Sequence, residues 1–120
     1  MDQHQRALLA RRAEQRACRH LWRRGWRIVA RNWTTPGGEL DIVASRWRTL
    51  LVVEVRYRTD GSALASIDGD KLARTASSAK ALVRSFRLQR YRLRIDLIGF
   101  DARGRLARRR DVLAHGRLGV

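Results

Sequence analysis

Two segments of the chain repeat an apolar residue every three or four positions, which is the period of a helix with one buried face. In the first segment the repeat covers residues 9–21, and Gly25 follows where a helix commonly stops. In the second segment the repeat covers residues 72–86. The pattern predicts helices over about residues 5–24 and 68–86.

Four other segments alternate apolar and polar side chains or form short apolar runs, as strands do. Pro36 and the glycines after it separate the first two of these segments by a turn. The short connection between the second and third favours an antiparallel hairpin. The predicted strands cover residues 26–33, 40–44, 50–57 and 92–100.

The predicted order is therefore helix, three strands, helix, strand. A central mixed β-sheet flanked by helices buries the apolar faces of such elements, so we expect an α/β fold. With 120 residues, the chain fits one domain over residues 1–120, with its core at about 8–101. The periodic signal fades after Asp101, and we expect residues 102–120, with the arginines 108–110, to form a solvated edge or tail.

The chain is strongly basic, with 27 Lys and Arg residues against 11 Asp and Glu residues and a net charge of +16. An anionic polymer is the natural partner of such a chain, and arginine binds phosphate oxygens two at a time. A GC-rich genome would also enrich arginine without a functional cause. The charge thus favours nucleic-acid binding without establishing it.

Cysteine content and hydropathy indicate where the protein works. Cys18 is the one cysteine, so we expect no intramolecular disulfide and no zinc cluster, and a reduced cytoplasmic setting. The longest apolar run, residues 50–53, is far shorter than the roughly 20 residues that cross a bilayer. We expect a soluble protein without a membrane partner.

Three carboxylates interrupt the second and third predicted strands. Strand alternation places Glu39 and Asp41 on one face, with Leu40 and Ile42 on the other, and strand pairing brings Asp41 beside Glu54. Two neighbouring carboxylates repel each other unless protons or a cation neutralise them, and Mg²⁺ bound by a few oxygens would do so. The alternative is that the three carboxylates pair with arginines on an exposed face.

The motifs around these carboxylates resemble those of a known family. The stretches GELDIVA at residues 38–44 and VVEVRYR at residues 52–58 are similar to the paired GE-x-D and V-E-V-K-x-R signatures of the YraN family. The resemblance covers roughly residues 8–114, including Ala13-Glu14 and the final strand RIDLI. It implies a restriction-endonuclease-like fold, similar to archaeal Holliday-junction resolvases.

The resemblance also implies a nuclease core with a D…(D/E)-x-K motif. Asp41 and Glu54 match its two metal ligands, the carbonyl of Val55 would add a third, and Mg²⁺ or Mn²⁺ is the implied ion. Glu14 matches a glutamate that reaches the metal directly or through water. Glu39 would accept a hydrogen bond behind the ligands or bond to the turn.

Arg56 departs from the family pattern, which has a lysine that positions the attacking water. Arginine supplies positive charge and binds phosphate, but it cannot give up its proton near neutral pH. Arg58 matches the family's own arginine. Lys71 matches a helix lysine that contacts a phosphate, the alternative being a solvated lysine.

Two functions follow from this combination. The first is a divalent-metal-dependent nuclease that hydrolyses DNA, with branched or single-stranded forms as candidate substrates, and with a homodimer expected by analogy with the resolvases. The second is a nucleic-acid-binding module of the same fold with little or no turnover, because of Arg56.

Trp47, between two arginines in the predicted hairpin turn, is a candidate stacking contact for a base. Asp96, in the last strand, is expected to form a structural salt bridge.

Overall fold

The computed structural model describes residues 2–113, which contain two helices and five strands. In chain order they are α1 (Gln3–Trp22), β1 (Arg27–Thr35), β2 (Gly38–Arg46), β3 (Thr49–Tyr57), α2 (Gly69–Ser85), β4 (Arg92–Phe100) and β5 (Leu106–Arg109). The predicted α/β fold and its first six elements are confirmed, and β5 is an addition. Residues 114–120 of the predicted tail lie outside the described residues. Within these bounds no helix combines the length and apolarity needed to cross a membrane.

All five strands form one mixed sheet in the order β1-β2-β3-β4-β5. Strands β1, β2 and β3 pair antiparallel. Strands β3 and β4, which α2 connects, pair parallel, and β5 pairs antiparallel with β4. The predicted hairpin is confirmed, since Arg46 pairs with Thr49 and leaves a two-residue turn. Strand β3 is thus the central strand, covered by a neighbour on each side.

Each helix covers one face of the sheet. Ala13, Ala17 and Leu21 of α1 pack in one core cluster with alternate residues of β3, including Val53. Leu72, Ala76, Ala79 and Leu82 of α2 pack in the other cluster, which contains Val52. Because neighbouring residues of a strand point to opposite faces, the two helices lie on opposite sides of the sheet.

Strand β2 does not alternate regularly, and the expectation that Leu40 and Ile42 share a face is wrong. Leu40 packs in the α2-side cluster and Ile42 in the α1-side cluster. Between them, Asp41 has no partner in either strand register, and the opposite residue of β1, Asn32, has a φ of 51°. The regular ladder between β2 and β3 begins only at Ile42 and Val53, so Asp41 lies where that ladder ends.

Residues 102–113 are more ordered than the charge of this segment predicted. Arg108 lies in edge strand β5, and its side chain is 7 % exposed, with Nη2 2.7 Å from Asp96 Oδ2. Arg94 Nε lies 2.9 Å from Asp96 Oδ1, and the backbone N–H of Asp111 donates to the same oxygen. The structural salt bridge of Asp96 is confirmed. The expectation of solvated arginines is wrong for Arg108, because this side chain neutralises a fully buried carboxylate.

Replacing Asp96 by alanine leaves two partly buried arginines without their shared carboxylate. Breaking a buried ion pair from one side typically costs about 3–5 kcal/mol, so we expect a loss of stability in this range. Urea unfolding measures the change, with Asp70→Ala, an exposed aspartate of α2, as the control that should lose less than about 1 kcal/mol. Equal losses in the two variants would contradict the structural role of Asp96.

Candidate active site

An open cavity of about 680 Å³ lies at the end of the central strand. Helix α1, the break in β2, the last residues of β3 and the first turn of α2 form its walls. The cavity brings together seven of the nine predicted site residues, which are Glu14, Asp41, Glu54, Val55, Arg56, Arg58 and Lys71. Arg6 and Thr59 also line the cavity, and the sequence motifs did not indicate them as site residues.

Asp41 and Glu54 form a close carboxyl pair at the base of this cavity. The side chain of Glu54 is 1 % exposed, and the two carboxyl groups are near enough to hydrogen-bond each other. The backbone N–H of Val55 donates to Asp41 Oδ2 at 2.9 Å, which holds the aspartate against the third strand. Asp41 and Glu54 therefore lie side by side, as the strand pattern predicted.

Burial dominates the protonation of this pair. Desolvation, followed by the charge of Asp41, raises the pKa of Glu54 to about 7. Desolvation also raises the pKa of Asp41, although the Val55 N–H and the cations of Lys71 and Arg56 oppose that rise. In the protein without metal, a proton on Glu54 relieves the repulsion between the two carboxylates near neutral pH.

Two cationic side chains approach the carboxyl pair. Lys71 Nζ lies 3.6 Å from Glu54 Oε2, and Asp68 fixes the start of α2 by accepting a hydrogen bond from the Lys71 backbone N–H at 2.8 Å. Arg56 follows Glu54 by two residues on the same strand, and its Nε is buried with no hydrogen-bond partner among residues 2–113. The site thus combines two acidic groups with an ammonium and a guanidinium group.

Helix α1 places a third carboxylate at the same cavity. The side chain of Asn32 is near enough to Glu14 to oppose the rise in the pKa of this carboxyl, and Glu14 Oε1 lies 3.7 Å from Arg31 Nη2. Burial raises the pKa of Glu14, and the charge of Asp41 adds to this rise. Sequence reasoning missed the roles of Asn32 and Arg31. An asparagine inside a predicted strand was the available signal, because asparagine is rare in strands and tolerates a positive φ.

Glu39 and Trp47 lie outside the cavity. Glu39 is exposed, and within the described part of the chain its side chain makes no hydrogen bond. It is near enough to Glu14 to raise the pKa of that residue slightly, by charge repulsion. Trp47 lies at the opposite end of the β2–β3 hairpin from Asp41 and Glu54.

The comparison with family models decides which family the chain represents. The model of "Uncharacterised protein family UPF0102" matches residues 13–100, which include all three cavity carboxylates. The chain belongs to the UPF0102 (YraN) family.

Relatives from two bacteria match over most of the chain. A UPF0102 protein of Pseudomonas fluorescens is 41 % identical over 95 residues, or 76 % of this chain and 77 % of that protein. A UPF0102 protein of Paenarthrobacter aurescens is 40 % identical over 94 residues, or 76 % of this chain and 78 % of its own length. The resemblance inferred from the motifs is confirmed.

In this UPF0102 chain the donor atoms suit a hard divalent cation. All are oxygens, and Glu54 Oε1 is buried without a hydrogen-bond partner among the described residues, which fits a metal ligand. Glu14 Oε1 also makes no hydrogen bond, and its nearest cation is Arg31 at 3.7 Å. Across residues 2–113, however, no three His, Cys, Asp or Glu side chains converge as a ready metal cluster. Two carboxylates with several retained waters are a common environment for Mg²⁺, so the Asp41–Glu54 pair fits that ion or Mn²⁺.

The contribution of Glu54 to the stability of the metal-free protein should fall as pH rises from about 5 to about 8. Folded Glu54 keeps its proton up to a pKa of about 7, whereas a glutamate in the unfolded chain loses it near 4.5. The stabilisation is complete below the unfolded pKa and disappears as pH passes the folded pKa, with a total on the order of 3 kcal/mol. Urea unfolding in EDTA at several pH values measures this trend.

Glu54→Gln is the matched variant for this measurement, because it keeps the size of the side chain and removes its titration. His20 has a pKa lowered to about 4, first by burial and then by nearby arginines, and it makes stability rise with pH below about 6.5. That contribution is common to both proteins, so the difference between their curves isolates Glu54. Parallel curves would contradict the raised pKa of Glu54.

Proposed function

We propose that this protein is a divalent-metal-dependent nuclease that hydrolyses phosphodiesters of DNA in the cytoplasm, with branched or single-stranded DNA as its expected substrate. The pair of buried carboxylates, Asp41 and Glu54, at the base of an open cavity carries this proposal. Such a pair is unfavourable for folding unless it is neutralised, and it recurs where a metal acts on phosphates. The net charge of +16 supports a polyanionic substrate.

Asp41 and Glu54 would hold Mg²⁺ or Mn²⁺ together with the carbonyl of Val55, and Glu14 would act directly or through water. When bound, such an ion polarises a phosphate and lowers the pKa of a water molecule, which supplies the nucleophile. The hydrogen bond from the Val55 N–H keeps Asp41 oriented for this role. Glu54 must first lose the proton that its raised pKa retains near neutral pH.

The cations around the pair would bind the phosphate. Arg56 can donate two parallel hydrogen bonds to phosphate oxygens and stabilise charge that develops on them. Because arginine stays protonated, Arg56 cannot accept the proton of the attacking water. Lys71 supplies an ammonium group at the same carboxylate, and exposed Arg58 would hold the DNA backbone at the cavity rim.

A nucleic-acid-binding module with little or no turnover is the second candidate. Its support is Arg56 itself, because the larger planar head group moves the contact point relative to lysine, and small displacements lower rates strongly. The module would bind DNA as well or better after loss of a carboxylate, since a repulsion from phosphate disappears. The enzyme and the module thus differ in their dependence on metal and on Asp41.

Cleavage of labelled DNA with Mg²⁺ or Mn²⁺ tests the proposal. Single-stranded, duplex, flap and four-way-junction substrates are compared for wild type, Asp41→Ala and the exposed-residue control Asp70→Ala. We expect wild-type cleavage that EDTA abolishes, a loss of more than roughly 100-fold in Asp41→Ala, and near wild-type rates in the control. Metal-independent cleavage, or equal rates in all three proteins, would contradict it.

Arg56→Lys in the same assay separates the two candidates. A silent wild type beside an active Arg56→Lys protein would favour the module, with a metal site limited at one position. Lys71→Met and Lys80→Met form a matched pair, because each removes one lysine from α2 and only Lys71 contacts Glu54. Under the nuclease proposal, Lys71→Met slows cleavage much more than Lys80→Met.

A further inference from the structure

A second cleft, with aromatic and basic side chains, lies at the end of the β2–β3 hairpin opposite the carboxylates. Trp47 and Arg48 of the hairpin turn and Arg90 and Tyr91 before β4 line a cleft of about 500 Å³, here named the turn cleft. The backbone N–H of Arg92 donates to the Arg48 carbonyl at 2.7 Å, which ties the two segments together. The turn cleft is therefore fixed by the sheet and does not depend on side-chain packing alone.

Trp47 has no structural reason to be tryptophan. Its side chain is 95 % exposed, so its large apolar surface remains in water. It also occupies the first central position of a two-residue turn with a φ of 58°, a conformation for which glycine is favoured. Exposure and backbone strain both oppose folding at this residue, and such a combination points to a function.

The arginines of the turn cleft are available for anions. Across residues 2–113 neither Arg48 nor Arg90 forms an ion pair, and no carboxylate lines the cleft. Neighbouring arginines are engaged: Arg92 pairs with Asp111 at 3.1 Å, and Arg46 lies over the Trp26 ring at 4.1 Å. Tyr91, 38 % exposed, adds a second aromatic surface beside the two free guanidinium groups.

We propose that the turn cleft binds single-stranded nucleic acid, with an unpaired base stacked on Trp47 and Tyr91 and the adjacent phosphates on Arg48 and Arg90. Aromatic rings beside a basic groove bind single strands in this way, because every base presents a π-face while the backbone is anionic. The inference rests on the nucleic-acid partner of the proposed function and not on its chemistry. Binding at the turn cleft persists whether or not the carboxylate site cuts.

The spacing of the two sites defines the substrate further. Glu54 of β3 follows Arg48 of the turn by six residues, which corresponds to about 20 Å at the rise of a strand. A stacked strand advances about 3.4 Å per nucleotide, so about six nucleotides span this distance. A substrate that contacts both sites carries unpaired bases about six nucleotides from the phosphate at the carboxylates.

Binding of a fluorescein-labelled thymidine strand of about 12 nucleotides, measured by anisotropy in EDTA, tests the turn cleft. An abasic strand of the same length keeps the phosphates and lacks the bases. We expect Trp47→Ala to weaken binding of the thymidine strand roughly tenfold and to leave the abasic strand within about twofold. Trp47→Phe should recover most of the loss, and Trp22→Ala, another exposed tryptophan, should bind like wild type.

Arginine variants test the phosphate contacts in the same assay. Arg48→Ala and Arg90→Ala should weaken binding of both strands and lower the salt dependence by about one counterion each, more than Arg12→Ala on the exposed face of α1. Uridine and deoxyuridine strands, which share the base, identify the sugar: tighter binding of uridine assigns the turn cleft to RNA, and tighter binding of deoxyuridine assigns it to DNA.

Two outcomes overturn the inference. Either Trp47→Ala binds both strands like wild type, or it weakens the thymidine and abasic strands equally. Because EDTA suppresses cleavage, a protein that binds through Trp47 but never cuts refutes only the nuclease. A protein that cuts without a Trp47-dependent base preference refutes only the turn cleft.

Discussion

The burial of two adjacent carboxyl groups is the constraint around which this fold is arranged. Glu54 lies on the central strand, with a neighbouring strand on each side, and water reaches almost none of its side chain. Asp41 lies beside it at the place where the β2–β3 ladder ends. Ionising both groups there is strongly unfavourable, so the pair must hold a proton or a cation. The surrounding cations reduce this cost and do not remove it.

The helices on the two faces of the sheet contribute different groups to that pair. Helix α1 places Glu14 near Asp41, supported by Asn32 and Arg31 of the edge strand. Helix α2 places Lys71 near Glu54. Because the helices pack in separate core clusters, the site joins both halves of the core at one end of the sheet. The hairpin that places Asp41 and Glu54 side by side carries the turn cleft at its other end.

Sequence periodicity predicted the helices, the hairpin and the neighbouring positions of Asp41 and Glu54, because these follow from local patterns and simple pairing. It failed at Leu40 and Ile42, since the alternation rule assumes an unbroken ladder and the ladder breaks at Asp41. It also failed at Arg108, because nothing in a run of three arginines distinguishes the one that pairs with the buried Asp96. The position of Glu14 at the site was predicted from family resemblance. The periodic pattern of α1 does not indicate that Glu14 lies near Asp41.

Titration calorimetry of Mn²⁺ binding near pH 7, in buffers of different ionisation enthalpy, shows whether the Asp41–Glu54 pair holds a metal ion. We expect Mn²⁺ binding by wild type to release protons, because Glu54 must ionise to become a ligand. We also expect Glu54→Gln to lose both the affinity and the proton release. Equal Mn²⁺ affinity in the two proteins, or binding without proton release, would contradict a metal site at the Asp41–Glu54 pair.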